Sequence, residues 1–140
     1  MTKADLAQIS SEISGMPAEW ILAQWRHETD DFTNWGAREA HNFAGLKQFR
    51  DKQPDWFTGD AQSPEGDNYQ VFENDEDFAR YFGRYLRMYE SDGLLAATTI
   101  REYAEALRRG GYYGDMPGMT GEESVDNYVA GLQRYLGGAA

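Results

Sequence analysis

The first thirty residues show the helical spacing of apolar side chains twice. Within residues 2–13, apolar positions stand three and four apart, which predicts an amphipathic helix, and Gly15 is expected to end it. A second helix is predicted from Pro17 to about Asp30, because proline is tolerated at a first helical position and the apolar spacing continues after it. The chain is therefore expected to begin with two consecutive helices.

Helical spacing returns in the second half of the chain and predicts three further helices. Asn74 precedes three acidic residues, as is typical of a helix start, and the pairs Gly110-Gly111 and Gly137-Gly138 are expected to end the last two helices. The three apolar stripes are Phe78, Tyr81, Phe82, Tyr85, Leu86 and Tyr89; then Leu95, Ile100, Tyr103 and Leu107; then, between Glu122 and Leu136, Val125, Tyr128, Val129, Leu132, Tyr135 and Leu136. The last stripe is nearly continuous, so one face of that helix is expected to be buried.

The middle of the chain, residues 34–72, keeps no helical period for more than a turn. Prolines and glycines are spread through it, and residues 42–49 and 68–72 are either short strands or irregular structure. A small β-lobe or a long ordered loop is expected, and a loop of this length inside a compact domain is usually functional. Together the patterns predict a mainly α (α+β) fold of about five helices, with residues 1–140 as a single domain.

Charge and composition exclude several classes of function. Thirteen basic and 24 acidic residues give a formal net charge of −11, which disfavours nucleic acid as a partner because phosphates are bound through lysine and arginine. The chain has no cysteine, and its two histidines, His27 and His41, lack the neighbours of a zinc motif. Neither a phosphate-binding loop nor a serine-hydrolase motif is present. We therefore expect no metal and no other cofactor.

The hydropathy pattern bears on where the protein acts. The N-terminal segment lacks the apolar core of a signal peptide, and no apolar run approaches the roughly 20 residues of a membrane span. We expect no membrane partner. A substrate outside the cytoplasm would then be reached with the help of a holin, a phage particle, a secretion machine or a larger precursor.

Glu28 interrupts the apolar stripe of the second predicted helix. Ile21 and Trp25 lead to position 28 at spacings of four and three, where an apolar side chain is expected. A carboxylate that is partly buried there should have a raised pKa, which is what a general acid working near neutral pH needs. The alternative is a glutamate that reaches solvent at the helix end, or that pairs with Arg26 or Arg38.

Four short blocks surround and follow Glu28. They are Ile21–Asp30 (ILAQWRHETD), Asn42–Lys47 (NFAGLK), Tyr69–Phe72 (YQVF) with the helix after it, and Ala106–Asp115 (ALRRGGYYGD). In this order they resemble the glucosaminidases of flagellar hydrolases, autolysins and phage lysins, which form glycoside hydrolase family 73. Glu28 falls on the family's glutamate, and Tyr128 stands for the tyrosine of a later P-x-Y motif. The resemblance spans about residues 15–136 and implies a lysozyme-like helical domain.

The chain departs from the pattern of that family in three places. Thr29–Phe32 replaces the usual S-G-W-G, and Ala44 stands where the family often has phenylalanine or tyrosine. The stretch between Lys47 and Tyr69 is short. Gly45–Gln48 is faintly similar to the G-L-M-Q of lytic transglycosylases, which share the glutamate-bearing helix. A muramidase or lytic transglycosylase therefore stays open as an alternative, and so does a non-catalytic wall-binding or structural tail module.

The resemblance implies cleavage of a β-1,4 glycosidic bond, with Glu28 as the proton donor to the leaving oxygen. A second acidic residue often lies in the β-lobe of this family. Glu65 is the residue chosen for that role, with Asp60 and Asp67 as alternatives. Tyr112 follows the glycines that end a helix, and it either projects its phenol into the cleft or packs on the core.

Other residues are expected to contact the glycan. The predicted substrate-binding residues are Trp35, Asn42, Trp56, Tyr113 and Tyr128. Trp35 and Trp56 lie in the non-helical region, where flat aromatic faces can serve as sugar platforms. Tyr113 takes the place of Tyr112 if the register is off by one. Asn42 is expected mainly to fix the turn after the catalytic helix.

The resemblance implies a peptidoglycan hydrolase that cleaves between N-acetylglucosamine and N-acetylmuramic acid. It would be part of a phage lysin, a virion-associated protein or a secreted effector, and would act on the cell wall in the periplasm or outside the cell. The peptidoglycan glycan strand is the expected partner, and the chain is expected to be a monomer.

Overall fold

The computed structural model describes residues 1–47, 60–62 and 68–136. In chain order the elements are the helices α1 (Lys3–Ser14), α2 (Ala18–Glu28) and α3 (Trp35–Glu39), the strands β1 (Asp60–Gln62) and β2 (Asn68–Gln70), and the helices α4 (Asp75–Arg87), α5 (Ile100–Arg109) and α6 (Gly121–Gln133). Two short 3-10 turns, Glu90–Asp92 and Leu94–Ala96, join α4 to α5. A mainly helical fold with little strand is thus confirmed. Of the helices in these ranges, none combines the length and the apolar composition that crossing a membrane requires.

Side-chain caps determine where most of these helices begin. In α1 and α5 the cap is a reciprocal capping box, in which each side chain binds the other residue's backbone N–H. The pairs are Thr2 with Asp5, and Thr99 with Glu102. The helices α3, α4 and α6 follow Asn34, Asn74 and Thr120, each of which accepts a hydrogen bond from the N–H three residues later. Gly15 ends α1 in the left-handed region, at φ 83°, as predicted.

The ends of α2 and α6 come earlier than predicted, and two larger differences from the sequence prediction concern α3 and α5. The helix α3 lies inside residues 34–72, where no helix is predicted; it is five residues long and depends on the Asn34 cap rather than on an apolar stripe. Leu95 lies in a 3-10 turn before α5, because the capping box at Thr99 starts that helix at Ile100, five residues later. In both places a local hydrogen bond, and not the apolar period, decides the structure.

The strands form a small β-lobe, as expected. β1 and β2 are antiparallel, with Ala61 opposite Tyr69. Lys47 makes a single bridge to Tyr69, which joins the loop after α3 to the same sheet. The lobe therefore brings β2 next to the loop that follows α3.

Trp25 on α2 is the centre of an aromatic core. It is fully buried, and its ring lies 5.4, 5.4 and 5.7 Å from those of Phe43, Phe78 and Phe82. Edge-on ring pairs of this kind add about 0.5–1.5 kcal/mol each beyond the burial of their area. Because Trp25 lies one turn before Glu28, the same packing holds the end of α2 in place.

The helix α2 ends at Glu28, two residues earlier than predicted, because the chain then enters the left-handed region. Residues 30–32 have φ angles of 51°, 58° and 67°, a conformation that costs a residue other than glycine roughly 1–2 kcal/mol. The buried Thr29 stabilises this turn. Its hydroxyl donates to the Trp25 carbonyl at 2.6 Å and accepts from the Phe32 N–H at 2.7 Å.

Candidate active site

Glu28 is the last residue of α2, on the face that meets α6. Ile21 and Trp25, which precede it on the stripe, are fully buried. Its Oε1 accepts a hydrogen bond of 2.9 Å from the Tyr128 hydroxyl. Burial raises the pKa of Glu28 from 4.5 to about 7, and the hydrogen bond from Tyr128 opposes this only in part. Glu28 therefore keeps its proton to a much higher pH than an exposed glutamate does.

Tyr128 on α6 is held from two sides. The ring of Tyr113 stacks on it, with centroids 4.2 Å apart and planes inclined by 10°, and His27 meets it edge-on at 5.1 Å. Burial, followed by the nearby charge of Glu28, raises the pKa of Tyr128 well above its ordinary value. The hydroxyl therefore keeps its proton at neutral pH and acts as a donor to Glu28.

The packing of His27 against α6 determines how closely α2 and α6 approach each other. Its ring lies against Gly131, where a Cβ atom would come within 2.2 Å of the ring carbon Cε1. Burial lowers the pKa of His27, and the charge of Arg134 adds to the effect, so the ring is neutral at neutral pH. A residue without a Cβ at this crossing lets α6 come close enough for Tyr128 to reach Glu28.

Glu28 also lines a cavity of about 360 Å³, within the range of roughly 300–1,000 Å³ that is common for small-molecule sites. The described residues around it are Glu28, Ala44, Gly45, Leu46, Lys47, Gln70, Tyr81, Tyr85, Gly111 and Tyr112. Among these residues, Glu28 is the one carboxylate. The described part of the cavity thus offers a single acid, together with three phenols, the amide of Gln70 and one lysine, Lys47.

Tyr112, and not Tyr113, lines this cavity. The Tyr112 hydroxyl donates to the Ala44 carbonyl at 2.8 Å, which ties the loop after α3 to the end of α5. Burial, and then the charge of Glu28, raises the pKa of Tyr112 well above its ordinary value, so its phenol is neutral. The Tyr113 hydroxyl donates to the Ala104 carbonyl at 2.7 Å and supports Tyr128 through its ring.

Asn42 fixes the loop that forms one wall of the cavity. Its Nδ2 donates to the carbonyls of Leu46 and Gln70 at 2.9 and 3.0 Å, and its Oδ1 accepts from the N–H groups of Ala44 and Leu46 at 3.3 and 3.1 Å. The residue is 1% exposed. Both polar atoms of its side chain are used within the loop, and its predicted contact with substrate stays a prediction. These hydrogen bonds hold the turn that Asn42 is expected to fix.

The other predicted binding residues lie elsewhere. Trp35 begins α3 and packs against Tyr69, with ring centroids 5.9 Å apart, beside β2 rather than on the described wall of the cavity. Its role as a sugar platform stays a prediction. Glu65, Asp67 and Trp56 lie outside the described residues, and of Asp60 only the backbone, in β1, is described. Their predicted roles stay predictions as well.

Sequence reasoning missed four polar residues that line the cavity: Lys47, Gln70, Tyr81 and Tyr85. Tyr81 and Tyr85 belong to the stripe of α4 that is predicted to be core, and the hydroxyl of Tyr85 hydrogen-bonds that of Tyr89 at 2.8 Å. A usable signal is present in the sequence, because tyrosines rather than phenylalanines recur there every four residues. A buried hydroxyl needs a polar neighbour, so such a stripe indicates a polar cavity beside the helix.

Comparison with known families identifies one match. The model for Glucosaminidase, described as mannosyl-glycoprotein endo-beta-N-acetylglucosaminidase, matches residues 4–137. Among curated proteins, none matches the chain.

Several solved structures share the fold at low sequence identity. A peptidoglycan hydrolase from Sphingomonas sp. A1 matches with a TM-score of 0.67 and 18% identity, over 91% of this chain and 81% of that one. The catalytic domain of the autolysin Auto from Listeria monocytogenes matches with a TM-score of 0.62 and 15% identity, over 94% and 77%. The glycoside hydrolase domain of Salmonella typhimurium FlgJ matches with a TM-score of 0.60 and 22% identity, over 96% and 86%.

Proposed function

The chain belongs to the glucosaminidase family of glycoside hydrolases, and we propose that it hydrolyses peptidoglycan with Glu28 as the general acid. The bond proposed is the β-1,4 linkage between N-acetylglucosamine and N-acetylmuramic acid. One observation carries the proposal. Glu28 lines the cavity with a carboxyl group whose pKa burial raises to about 7, so a proton is available where a sugar can lie.

In the proposed reaction, Glu28 gives its proton to the glycosidic oxygen as the bond from the anomeric carbon to that oxygen breaks. The leaving sugar then departs as a neutral alcohol. The positive charge that develops at the anomeric carbon is met either by a water or by the oxygen of the substrate's own acetamido group. Glu65 is proposed as the acidic residue that assists this step, with Asp60 and Asp67 as the alternatives.

Tyr128→Phe is expected to lower kcat by about tenfold, because Glu28 loses the hydrogen bond that aligns it. The same hydrogen bond lowers the pKa of Glu28, so its removal should raise that pKa. Activity in the variant should therefore persist to a higher pH than in the wild type. A profile of kcat against pH for both proteins measures the two effects together.

Tyr113→Phe is the matched control for that experiment. It also removes one phenol oxygen from the stacked ring pair, but this hydroxyl donates to Ala104 and not to Glu28. Its pH profile should keep the wild-type position. If Tyr128→Phe lowers kcat without moving the pH profile, Tyr128 supports the fold and does not position the acid.

The products of digestion test the bond that is cleaved. Purified peptidoglycan treated with the protein should yield fragments with reducing N-acetylglucosamine ends, read by mass spectrometry. Reducing muramic acid ends would assign a muramidase, and 1,6-anhydro muramic ends a lytic transglycosylase; either result would overturn the proposed bond. Binding to sacculi without release of fragments would favour the non-catalytic module.

The cell wall is accordingly the proposed place of action, in the periplasm or outside the cell. A phage lysin, a virion-associated protein or a secreted effector stays the prediction for the protein's biological setting. The monomeric state stays a prediction in the same way.

A further inference from the structure

Tyr85 is one of three phenols on the described wall of the cavity, with Tyr81 and Tyr112. The Tyr112 hydroxyl gives its proton to the Ala44 carbonyl, and Tyr81 is only 4% exposed. Tyr85 is partly exposed, and its hydroxyl oxygen lies 2.8 Å from that of Tyr89, with which it shares a hydrogen bond. Of the three phenols, Tyr85 is therefore an accessible one whose hydroxyl is paired with another hydroxyl.

The two hydroxyls of Tyr85 and Tyr89 have one proton more than their hydrogen bond uses. Each hydroxyl carries one proton and can also accept, so the single bond between them engages one proton of the two. Neither hydroxyl hydrogen-bonds a further residue in the described ranges. Burial raises the pKa of both phenols, and the charge of Glu28 adds to the rise at Tyr85, so both protons are kept at neutral pH. One O–H donor thus remains for an additional acceptor.

Burial decides which of the two hydroxyls can offer that proton. Tyr89 is 7% exposed, is not among the described residues that line the cavity, and packs so closely on Gly110 that a Cβ atom there would overlap its ring. If Tyr85 donates to Tyr89, the remaining proton is buried on Tyr89, and a buried donor without an acceptor costs free energy. If Tyr89 donates instead, the remaining proton is on Tyr85, beside the cavity. A ligand oxygen in the cavity therefore lets both protons be used.

Packing alone does not account for a phenol at position 85. The ring of Tyr85 lies 5.9 Å from that of Phe82 and 6.2 Å from that of Tyr112, and a phenylalanine would keep both contacts. Phe78 and Phe82, which precede it on the same face of α4, are fully buried. The hydroxyl is present where α4 borders the cavity, which indicates a polar contact there.

We propose that Tyr85 is a substrate-binding residue that donates a hydrogen bond to a neutral oxygen of the sugar lying beside Glu28, and that Tyr89 positions its hydroxyl. The inference rests on the proposed function, which makes a glycan the ligand of the cavity. Sugars with N-acetyl groups offer such acceptors at their hydroxyl and acetamido oxygens. Tyr89 donates to the Oη atom of Tyr85, which directs the proton of Tyr85 to the sugar and strengthens it as a donor.

The first test is a calorimetric titration with chitotetraose, which consists of four β-1,4-linked N-acetylglucosamines. It is titrated into the Glu28→Gln protein, which cannot supply the acid, and into the same protein with Tyr85→Phe. The second substitution is expected to weaken binding about three- to tenfold, the loss of one neutral hydrogen bond. Tyr135→Phe removes a phenol oxygen near the C-terminal end of α6, outside the described cavity wall, and should change binding by less than about 1.5-fold. Unchanged binding in Tyr85→Phe, or an equal loss in Tyr135→Phe, would overturn the assignment.

The same titrations with cellotetraose assign the oxygen that is bound, because this sugar has a hydroxyl in place of each acetamido group. An equal loss with both sugars in Tyr85→Phe assigns a sugar hydroxyl. A loss with chitotetraose alone assigns the acetamido oxygen.

The positioning role of Tyr89 is tested by a double-mutant cycle in the same Glu28→Gln background. Tyr89→Phe should weaken chitotetraose binding about two- to threefold, and adding it to Tyr85→Phe should cause no further loss, because Tyr89 acts only through Tyr85. Losses that add would overturn this role. The variant with both substitutions should keep the thermal midpoint of its parent, because the two hydroxyls are removed together and neither is left buried without its partner.

NMR of the wild-type protein with ¹³C-labelled tyrosine gives an independent measurement. The Cζ signal of Tyr85 should shift when chitotetraose is added, whereas that of Tyr135 should stay in place. A Tyr85 signal that does not move would overturn the assignment. Failure of the proposed function has a different signature, since it appears as retained activity in Glu28→Gln or as a different reducing end in digested peptidoglycan.

Discussion

Replacing Glu28 with glutamine is expected to lower the rate of glycan hydrolysis by about 10²- to 10⁴-fold, because an amide cannot give a proton to the leaving oxygen. Glutamine has the same size and keeps an oxygen that can accept from Tyr128, so the cavity should retain its shape. The rate is measured as reducing ends released from peptidoglycan. Glu19→Gln makes the same change at an exposed position of α2 and should keep the wild-type rate. A wild-type rate in Glu28→Gln would remove Glu28 from the mechanism.

The pH dependence of the wild-type enzyme follows from the same group. A general acid works in its protonated form, and the pKa of Glu28 is about 7. We therefore expect kcat to fall as the pH rises through about 7. If kcat instead falls through about 4.5, Glu28 is not buried in the working enzyme.

Glu28 should also make the stability of the fold depend on pH. Its folded pKa of about 7 lies above the ordinary value of 4.5, so the folded state holds the proton more tightly than the unfolded state. Below about pH 4.5 Glu28 is protonated in both states, and its contribution to stability is largest. As the pH rises to about 7, the unfolded state ionises first and stability falls, by up to about 3 kcal/mol, before levelling off. Urea denaturation should show this fall in the wild type and a smaller one in Glu28→Gln.

Asn42→Ala is expected to reduce the free energy of unfolding by about 3–5 kcal/mol. The substitution removes four hydrogen bonds at once and leaves two carbonyls and two N–H groups of the cavity wall without their partner. Because Ala44 and Leu46 belong to that wall, the activity that remains should also be low. Urea denaturation gives the free energy, and release of reducing ends gives the activity.

Asn127→Ala is the matched control for this loss of stability. Asn127 lies exposed on α6, so the same change of side chain should alter the free energy of unfolding by less than about 0.5 kcal/mol. A loss below about 1 kcal/mol in Asn42→Ala would mean that the wall does not depend on this residue.

The longer helices could be predicted from the sequence because their apolar residues recur with the period of the helix. Glu28 was recognisable for the same reason, as a carboxylate on a stripe that otherwise holds Ile21 and Trp25. The family resemblance then supplied its role. The helix α3 has no such period and follows from one cap at Asn34, so its presence depends on a local hydrogen bond that the apolar pattern does not encode.

The cavity could be predicted less completely, because its walls come from distant parts of the chain. Tyr112 hydrogen-bonds Ala44, which is 68 residues away in the sequence. Tyr128 hydrogen-bonds Glu28, which is 100 residues away. Periodicity reports which face of a helix is buried, but it does not report which helix lies opposite. The sequence therefore gives no sign that Gln70 lines a cavity, nor that the side chain of Asn42 makes four hydrogen bonds within its own loop.

The cavity wall formed by Ala44, Leu46 and Gln70 affects how such a sequence can change in evolution. The hydrogen bonds that shape it end on backbone atoms of Ala44, Leu46 and Gln70, with Asn42 and Tyr112 as the side-chain partners. Mutations at position 44 therefore leave these bonds intact, provided that the new side chain can be packed. Selection can thus exchange an aromatic residue for alanine there, and so alter the volume of the cleft, without rebuilding the architecture that presents the acid.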